Sequence, residues 1–425
     1  MLKSSINGYI KRKNKMVKVY KNSTEITNLH GVPIYMTDVA DACIYGRLNL
    51  FLQGDTGSGK TQLAKDVRDY FGEKSLFILG RNDMDTRELF QQINPEFLRA
   101  LREGNGKRAT KIKSLTDKIN YHLTVVDELP NCVPAVRAQL FNLFDGFIEI
   151  DGVPYQIGKG YSVGIATGNI GQQFTESSNE LGRALKDRMH VVVDTDYFIP
   201  TPSDTLEILA TDTNPRVEFS GEKEDLSTEI IAKNKSLVEM PIPFEKILVA
   251  NYLLHGLDYT SVGSKRKMKN AWPTTLPSHE QGSDAGLVLP VSVRAAKSIT
   301  RLSQALDQIA LEKGATPEVV NSDEGRFNSM MQAYRLVSAY SGVLNEADIQ
   351  GKYDGDHYKA IDAVISSTKG QFDQQNENIS QGLGMIAEGK RSQKILDKFK
   401  GRWGFMKDTL DGLLKSQNSE EKKEA

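Results

Sequence analysis

The sequence predicts an α/β protein in which a parallel five-stranded sheet is sandwiched by helices and followed by an all-helical region. Three observations lead there. Between about residues 28 and 212, five short apolar stretches (48–52, 76–79, 123–126, 163–166 and 191–193) alternate with segments of helical spacing. That alternation is the signature of parallel strands joined by crossover helices. A glycine-rich octapeptide separates the first of these strands from a helix. Beyond residue 243 the apolar positions recur mainly at helical intervals.

Composition sets the outer bounds. The formal net charge of −1 leaves no global field drawing the chain to nucleic acid or membrane. Cys43 and Cys132 are the only cysteines, which argues against a disulfide framework and fits a reducing compartment. No apolar run reaches membrane-helix length, and the lysine-bearing N-terminus has no apolar core of a secretory signal. The expectation is a soluble, cytoplasmic protein without membrane contact. The histidines are scattered, and no H-E-x-x-H or C-x-x-C spacing points to a metal site.

In chain order, residues 1–27 form a basic arm. Lys3, Lys11, Arg12, Lys13, Lys15, Lys18 and Lys21 precede the first acid, Glu25. The arm is either a solvated tail or an electrostatic contact with nucleic acid or a partner. Residues 28–212 are the α/β core. Residues 213–242, charged and polar, read as a linker. Residues 243–365 read as a helical domain interrupted by a polar loop at 264–285, and 366–425 as a C-terminal helical extension with a polar tail. In that extension Ile395, Phe399, Trp403, Met406, Leu410 and Leu413 make an apolar stripe, which either docks on the chain itself or meets a partner.

The octapeptide Gly54-Asp55-Thr56-Gly57-Ser58-Gly59-Lys60-Thr61 fits G-x-x-x-x-G-K-[ST], the phosphate-cradling loop, with Gln62 next in line. Glycines let the backbone turn so that its N–H groups face phosphate oxygens, and the following helix adds the positive end of its dipole. Lys60 would reach the β- and γ-phosphates, and Thr61 would ligate Mg²⁺. Such a loop needs an acid at the end of another strand, and Asp127 stands where the apolar run 123–126 emerges. It is suited to the Mg²⁺ shell. Glu128 follows and could polarise an attacking water.

Over about residues 28–350 the chain resembles the AAA+ ATPases, within them the MoxR/dynein-related branch. Asp127-Glu128-Leu129-Pro130-Asn131 is similar to the family's Walker B exit, and residues 97–104 resemble the segment upstream of it. Residues 140–151 followed by Gly152 resemble a helix running into a β-hairpin. Ile165-Ala166-Thr167-Gly168-Asn169 is similar to the sensor-1 strand, which implies that Asn169 touches the γ-phosphate or positions water. Ala184-Leu185-Lys186-Asp187-Arg188-Met189 resembles the element carrying an arginine that acts on a neighbour's site, here Arg188, with Arg183 a rival on the same helix. Pro290-Val291-Ser292-Val293-Arg294 resembles the start of a lid helix, which makes Arg294 sensor 2. Residues 344–349 resemble the end of that lid.

The resemblance implies ATP and Mg²⁺ as cofactors and a homo-oligomeric ring, a hexamer, that remodels a client protein complex. The metal-adhesion motif of the family's von Willebrand A partners is absent from the chain, so such a partner would be a separate protein. The alternative is a DNA-acting motor, for which the basic arm and the insert 105–121, with Lys107, Arg108, Lys111, Lys113 and Lys118, would track phosphates. The insert is longer than the family pattern, and the last 60 or so residues match nothing in it.

Overall fold

In the computed structural model the residues described are 19–81, 90–93, 113–150, 152–169, 188–210, 225–258 and 284–424. The chain divides into two compact units, Met1–Met240 with Gln304–Val320, and Pro241–Ser303 with Asn321–Ala425.

The first unit is built on five parallel strands: β1 (Leu50–Gly54), β2 (Ser75–Leu79), β3 (Leu123–Asp127), β4 (Val163–Asn169) and β5 (Val191–Asp194). Their order across the sheet is β5-β1-β4-β3-β2. All five expected strands are present. Every residue of β3 is buried, and all of β4 except Asn169, as a parallel sheet covered on both faces requires. Register decides what meets at the edge. Asn169 pairs with Gly54, and Leu79 with Asp127. The loops leaving β1, β3 and β4 therefore open on one edge, beyond the carboxyl ends of the strands, where open α/β sheets bind ligands.

Lys60–Asp69 is the helix after β1, and Pro134–Phe144 follows β3, with proline in its first turn. A hairpin, Phe147–Ile150 with Val153–Gln156, follows that helix as expected. The expectations missed an earlier hairpin, Thr27–Leu29 with Val32–Ile34. Its turn residues His30 and Gly31 both have positive φ, 56° and 82°, the requirement of the tight turn that suits twisted strands. This hairpin, the helix Met36–Gly46 and Lys233 bond to residues 304–320 within the first unit. His30 Nε2 meets Asp307 Oδ1 at 2.8 Å, Lys313 Nζ donates to Asp38 at 2.5 Å, and Lys233 Nζ donates to Glu312 at 2.5 Å.

Within the stretch read as a linker, residues 227–239 form the helix Ser227–Glu239. Asn234 on it is buried and donates to the Tyr45 carbonyl at 2.8 Å, so a polar composition conceals a packed face. The second unit is helical, with Phe244–Asn251, Asp323–Ser338, His357–Ala387 and Phe405–Glu424 as its longer elements, together with the N-terminal part of Val293–Glu312. The helix His357–Ala387 runs through position 365/366, where the sequence reading ended one domain and began the next. The C-terminal stripe docks within its own unit: Phe399, Trp403, Met406 and Leu410 are buried, joined by Leu396 and Leu414 rather than Ile395 and Leu413. A 3-10 turn at Gly401–Trp403 shifts the phase that a single helix would have kept. Most of the expected loop 264–285 lies outside the described residues.

Candidate nucleotide site

The loop after β1 has the backbone that its glycines permit. Gly57 and Gly59 sit at φ 90° and 83°, in the region where only glycine is unstrained. Lys60 starts the helix and is buried. Its Nζ donates to the Gly54 carbonyl at 3.0 Å, to the Asp55 carbonyl at 2.6 Å and to Ser58 Oγ at 3.1 Å. The ammonium therefore lies inside the curve of the loop. Burial lowers its pKa from the ordinary lysine value, and the carboxylates of Asp196, Asp55, Asp127 and Asp194 act against that shift.

Asp127 ends β3 fully buried. Its Oδ1 accepts from Thr61 Oγ1 at 2.7 Å and from Thr167 Oγ1 at 2.7 Å. Thr167 Oγ1 in turn accepts from the Glu128 N–H at 3.0 Å. Glu128 itself is left-handed, φ 58° and ψ 44°, a conformation that costs a non-glycine residue about 1–3 kcal/mol and recurs at functional sites. Asn131 Nδ2 holds Glu128 Oε2 at 2.7 Å, and Asn169 Nδ2 lies 3.5 Å from Thr56 Oγ1, at the outer limit of a hydrogen bond.

The first unit thus brings together Lys60, Thr61, Asp127, Glu128 and Asn169 at one edge. Gln62 turns back along its own helix, donating to Asp66 at 2.8 Å. Arg188 is elsewhere. It stands three residues before the start of β5, and its carbonyl accepts from Asn49 Nδ2, just before β1, at 3.0 Å. It therefore stands at the amino end of the strands, the edge opposite the loop. There its Nε donates to Asp145 at 2.9 Å and its guanidinium lies 5.4 Å from the centroid of the Phe141 ring. Arg183 lies outside the described residues, as does the stretch 97–104. Arg294 is in the second unit, in the first turn of Val293–Glu312, one residue past Val293.

Several residues at the site were not foreseen. Thr167 was seen only as part of a strand. Thr195 and Asp196 follow β5 and brace the loop: Thr195 Oγ1 shares a hydrogen bond with Ser58 Oγ at 2.7 Å, and Asp196 Oδ2 accepts from the Asp55 N–H at 2.5 Å. Polar residues at the carboxyl end of a recognised strand were the available signal. Tyr20, read as part of a basic arm, is buried with its N–H donating to Asp66 at 2.8 Å, and its ring lies against Gly59. Asn49 is buried and fully used, donating also to Phe144 and accepting from the Gly164 N–H at 2.8 Å each. Gly160-Tyr161-Ser162-Val163-Gly164 spells the G-x-S-x-G of serine hydrolases. Ser162 is buried and precedes a strand instead of following one, so the spacing is coincidental.

These residues fit a nucleoside triphosphate with a divalent cation. The loop and the helix start offer N–H groups and a lysine to phosphate oxygens. Among the described residues no three His, Cys, Asp or Glu side chains cluster to hold an ion by themselves. Thr61 and Asp127 would supply the few protein ligands that Mg²⁺ takes when water and phosphate fill the rest of its shell. No helix among the described residues is long and apolar enough to cross a membrane.

The model of the AAA domain, dynein-related subfamily, matches residues 49–189. No curated protein matches the chain at a significant level. Among solved structures the chain is similar to a candidate ATPase from Cytophaga hutchinsonii, at 14% identity and a TM-score of 0.55 over 85% of this chain and 97% of that one. At that identity the likeness establishes a shared fold. An MCM homologue from Methanopyrus kandleri aligns at 12% identity with a TM-score of 0.41, over 72% of this chain and 55% of that one, too remote to bear on function. The nucleotide loop, the acidic pair and strands β1 to β4 fall in the stretch that the family model matches, so residues 49–189 carry an AAA domain of the dynein-related subfamily.

Proposed function

We propose that the protein is a ring-forming, Mg²⁺-ATP-driven ATPase that remodels or helps assemble a protein complex. The observation that carries the ring is the placement of Arg188. It stands at the amino edge of the sheet, while Lys60 and Glu128 stand at the carboxyl edge. A five-residue strand spans about 16 Å, so Arg188 is directed away from its own nucleotide loop. An arginine that contributes to hydrolysis from there acts on another copy of the chain.

In this reading Gly54, Asp55, Thr56, Gly57, Ser58 and Gly59 wrap the phosphates, and Lys60 neutralises them. Thr61 and Asp127 would hold the cation, which would supply neutralisation of phosphate charge when bound. Glu128, oriented by Asn131, polarises the attacking water, and Asn169 aligns it. Arg294 responds to the γ-phosphate from the lid. The Arg188–Asp145 pair is then a resting contact, which the guanidinium exchanges for a neighbour's phosphate. A rigid, permanently charged fork suits that exchange. The hairpin Phe147–Ile150/Val153–Gln156 leaves the core between the acidic pair and Asn169, so it is the element best placed to pass nucleotide state to a client. Its tip residue Val153 is exposed.

The test mixes two inactive variants, Arg188→Ala and Glu128→Gln. Each ring would then contain interfaces that unite an intact Glu128 with an intact Arg188. Partial recovery of ATPase activity at intermediate ratios supports action between subunits. No recovery at any ratio, or full turnover by a protein that remains monomeric with ATP, refutes it. The insert 105–121 begins outside the described residues, and its described end is the strand Lys113–Leu115 and the 3-10 turn Asp117–Asn120. Deletions that probe contact with a client or with single-stranded DNA should therefore spare residues from 113 onward, which are built into the first unit's fold.

A further inference from the structure

Besides its apolar packing, the C-terminal extension is tied to the rest of the second unit by Arg402. Arg402 donates through Nη1 to Asp284 Oδ2 at 2.8 Å and through Nη2 to Asp284 Oδ1 at 3.0 Å. The same Nη1 reaches Tyr252 Oη at 3.0 Å. Asp284 also accepts from Ser367 Oγ at 3.1 Å. The Asp284 side chain is 5% exposed and that of Arg402 19%. A buried ion pair of this kind is weak evidence for stability, because desolvation offsets most of its attraction. Two parallel bonds to one carboxylate do fix its position and orientation closely.

What Arg402 holds leads to Arg294 from two sides. Asp284 opens the segment that runs directly into the Val293–Glu312 helix. Along it the Leu289 N–H donates to the Val343 carbonyl at 2.8 Å, and the Asn345 N–H to the Leu287 carbonyl at 2.8 Å. Tyr252 lies in a π-helical turn, Tyr252–Gly256, and the carbonyl of its neighbour Leu253 accepts from the Val291 N–H at 3.2 Å. Ser292 then caps the helix, its Oγ accepting from the Ala295 N–H at 3.1 Å. Arg294 lies inside that capped turn. One route follows the chain from Asp284, braced against residues 343–345, and the other crosses the Val291–Leu253 backbone hydrogen bond; both end on the Arg402 guanidinium. Turns of π type are rare and concentrate at functional sites.

We propose that Arg402 is a positioning residue for Arg294: through Asp284 and Tyr252, the C-terminal extension sets where the first turn of the Val293–Glu312 helix presents its arginine, and so tunes the ATPase response to ATP. This rests on the reading of Arg294 as the lid residue that responds to the γ-phosphate. It gives the extension a function in the nucleotide cycle, one that a merely packed tail would not have.

The experiment is a double-mutant cycle on the full-length chain with ATP, reading affinity and turnover separately. Arg402→Lys keeps the charge and removes the two-pronged bond. It should weaken the ATP response about fivefold to tenfold in the otherwise native chain, the size of coupling found within one hydrogen-bond network. In an Arg294→Ala background the same substitution should change it by less than about twofold, because the group it positions is gone. Tyr252→Phe, which removes one acceptor and keeps the aromatic packing, should give a smaller loss that disappears in the same background. It serves if Arg402→Lys lowers the melting temperature too far to assay. Equal losses in both backgrounds would mean general damage to the unit and overturn the proposal. A silent Arg402→Lys beside an impaired Arg294→Ala overturns the positioning role and leaves the reading of Arg294 standing. A silent Arg294→Ala overturns that reading and the proposal with it.

Discussion

Thr61 and Thr167 donate to the same oxygen of Asp127, each at 2.7 Å. One hydroxyl belongs to the nucleotide loop and the other to β4, so a single buried carboxylate oxygen fixes the loop's helix and two strands relative to one another. Thr167 also accepts the Glu128 N–H, which extends the same chain of hydrogen bonds to the residue proposed to polarise water.

Thr167→Val tests that chain with almost no change of shape. It leaves Asp127 without one donor and the Glu128 N–H without its acceptor. The expected cost is about 1–3 kcal/mol of stability, since buried polar groups lose their partners. Turnover should fall by about 10- to 100-fold through misplacement of Glu128, while ATP affinity, which rests on Lys60 and the loop, changes little. Chemical denaturation and steady-state kinetics measure the two effects. Undiminished turnover would detach Thr167 from the mechanism.

Lys60→Ala removes the only loop side chain that can neutralise phosphate charge, and nucleotide binding should be lost. Glu128→Gln should bind ATP as the native chain does and fail to hydrolyse it, because an amide is a much poorer base than a carboxylate. Calorimetry on both proteins separates these outcomes. Equal ATP affinity in Lys60→Ala and the native chain would contradict the assignment of the loop.

The five strands and the loop were legible because each is a local pattern: a fully buried strand is a run of apolar residues, and the phosphate loop is written in contiguous glycines. Asp127 and Glu128 were legible because they follow such a run at once. Asn49 was not, because its three side-chain partners, Phe144, Gly164 and Arg188, are far away in sequence and meet only when the amino ends of β1, β4 and β5 come together. Tyr20 was concealed by the lysines around it, since charge counts say nothing about one aromatic ring that packs on Gly59. Arg402 stood beside Trp403 in a recognised apolar stripe, but its partner Asp284 lies 118 residues away. For Arg188 the sequence supplied the residue, and only the strand register showed which edge it occupies.

Asp204 gives a dependence on pH. Burial alone would raise its pKa, but the N–H and hydroxyl groups of Ser23 and Thr201 donate to it and together lower the value to about 2, from 3.8. A folded-state value below the unfolded one means that the contribution is fully present above about pH 4 and is lost as pH falls through about 2. The same carboxylate fastens the segment that carries Tyr20 to the helix Pro202–Leu209. The difference in melting temperature between the native chain and Asp204→Asn should therefore shrink as pH is lowered from about 5 to about 2. The group is largely exposed, so the effect should be small and weaker in high salt. A difference that stays constant across that window would show that the hydrogen bonds do not select the charged form.

Gly80 tests how closely β2 and β3 must approach for the acidic pair to stand where it does. Its N–H donates to the Asp127 carbonyl at 2.7 Å. A Cβ placed on it would lie 2.4 Å from the Glu128 carbonyl oxygen and 3.0 Å from the carbonyl carbon. Those are backbone atoms, and Glu128 is already held in a left-handed conformation, so the neighbour cannot move aside as a flexible side chain would. Gly80→Ala should therefore force the two strand ends apart, costing about 1–3 kcal/mol as an overpacked site does, and should displace Glu128 while leaving Lys60 in place. Turnover should drop more than ATP affinity. Gly370→Ala is the control: it lies within the helix His357–Ala387 with nothing within 4 Å of the added carbon, and it should stabilise the protein by about 0.5–1 kcal/mol through helix propensity alone. If Gly80→Ala proves as benign as Gly370→Ala in both stability and turnover, the close approach of the two strands is not what sets the position of Glu128.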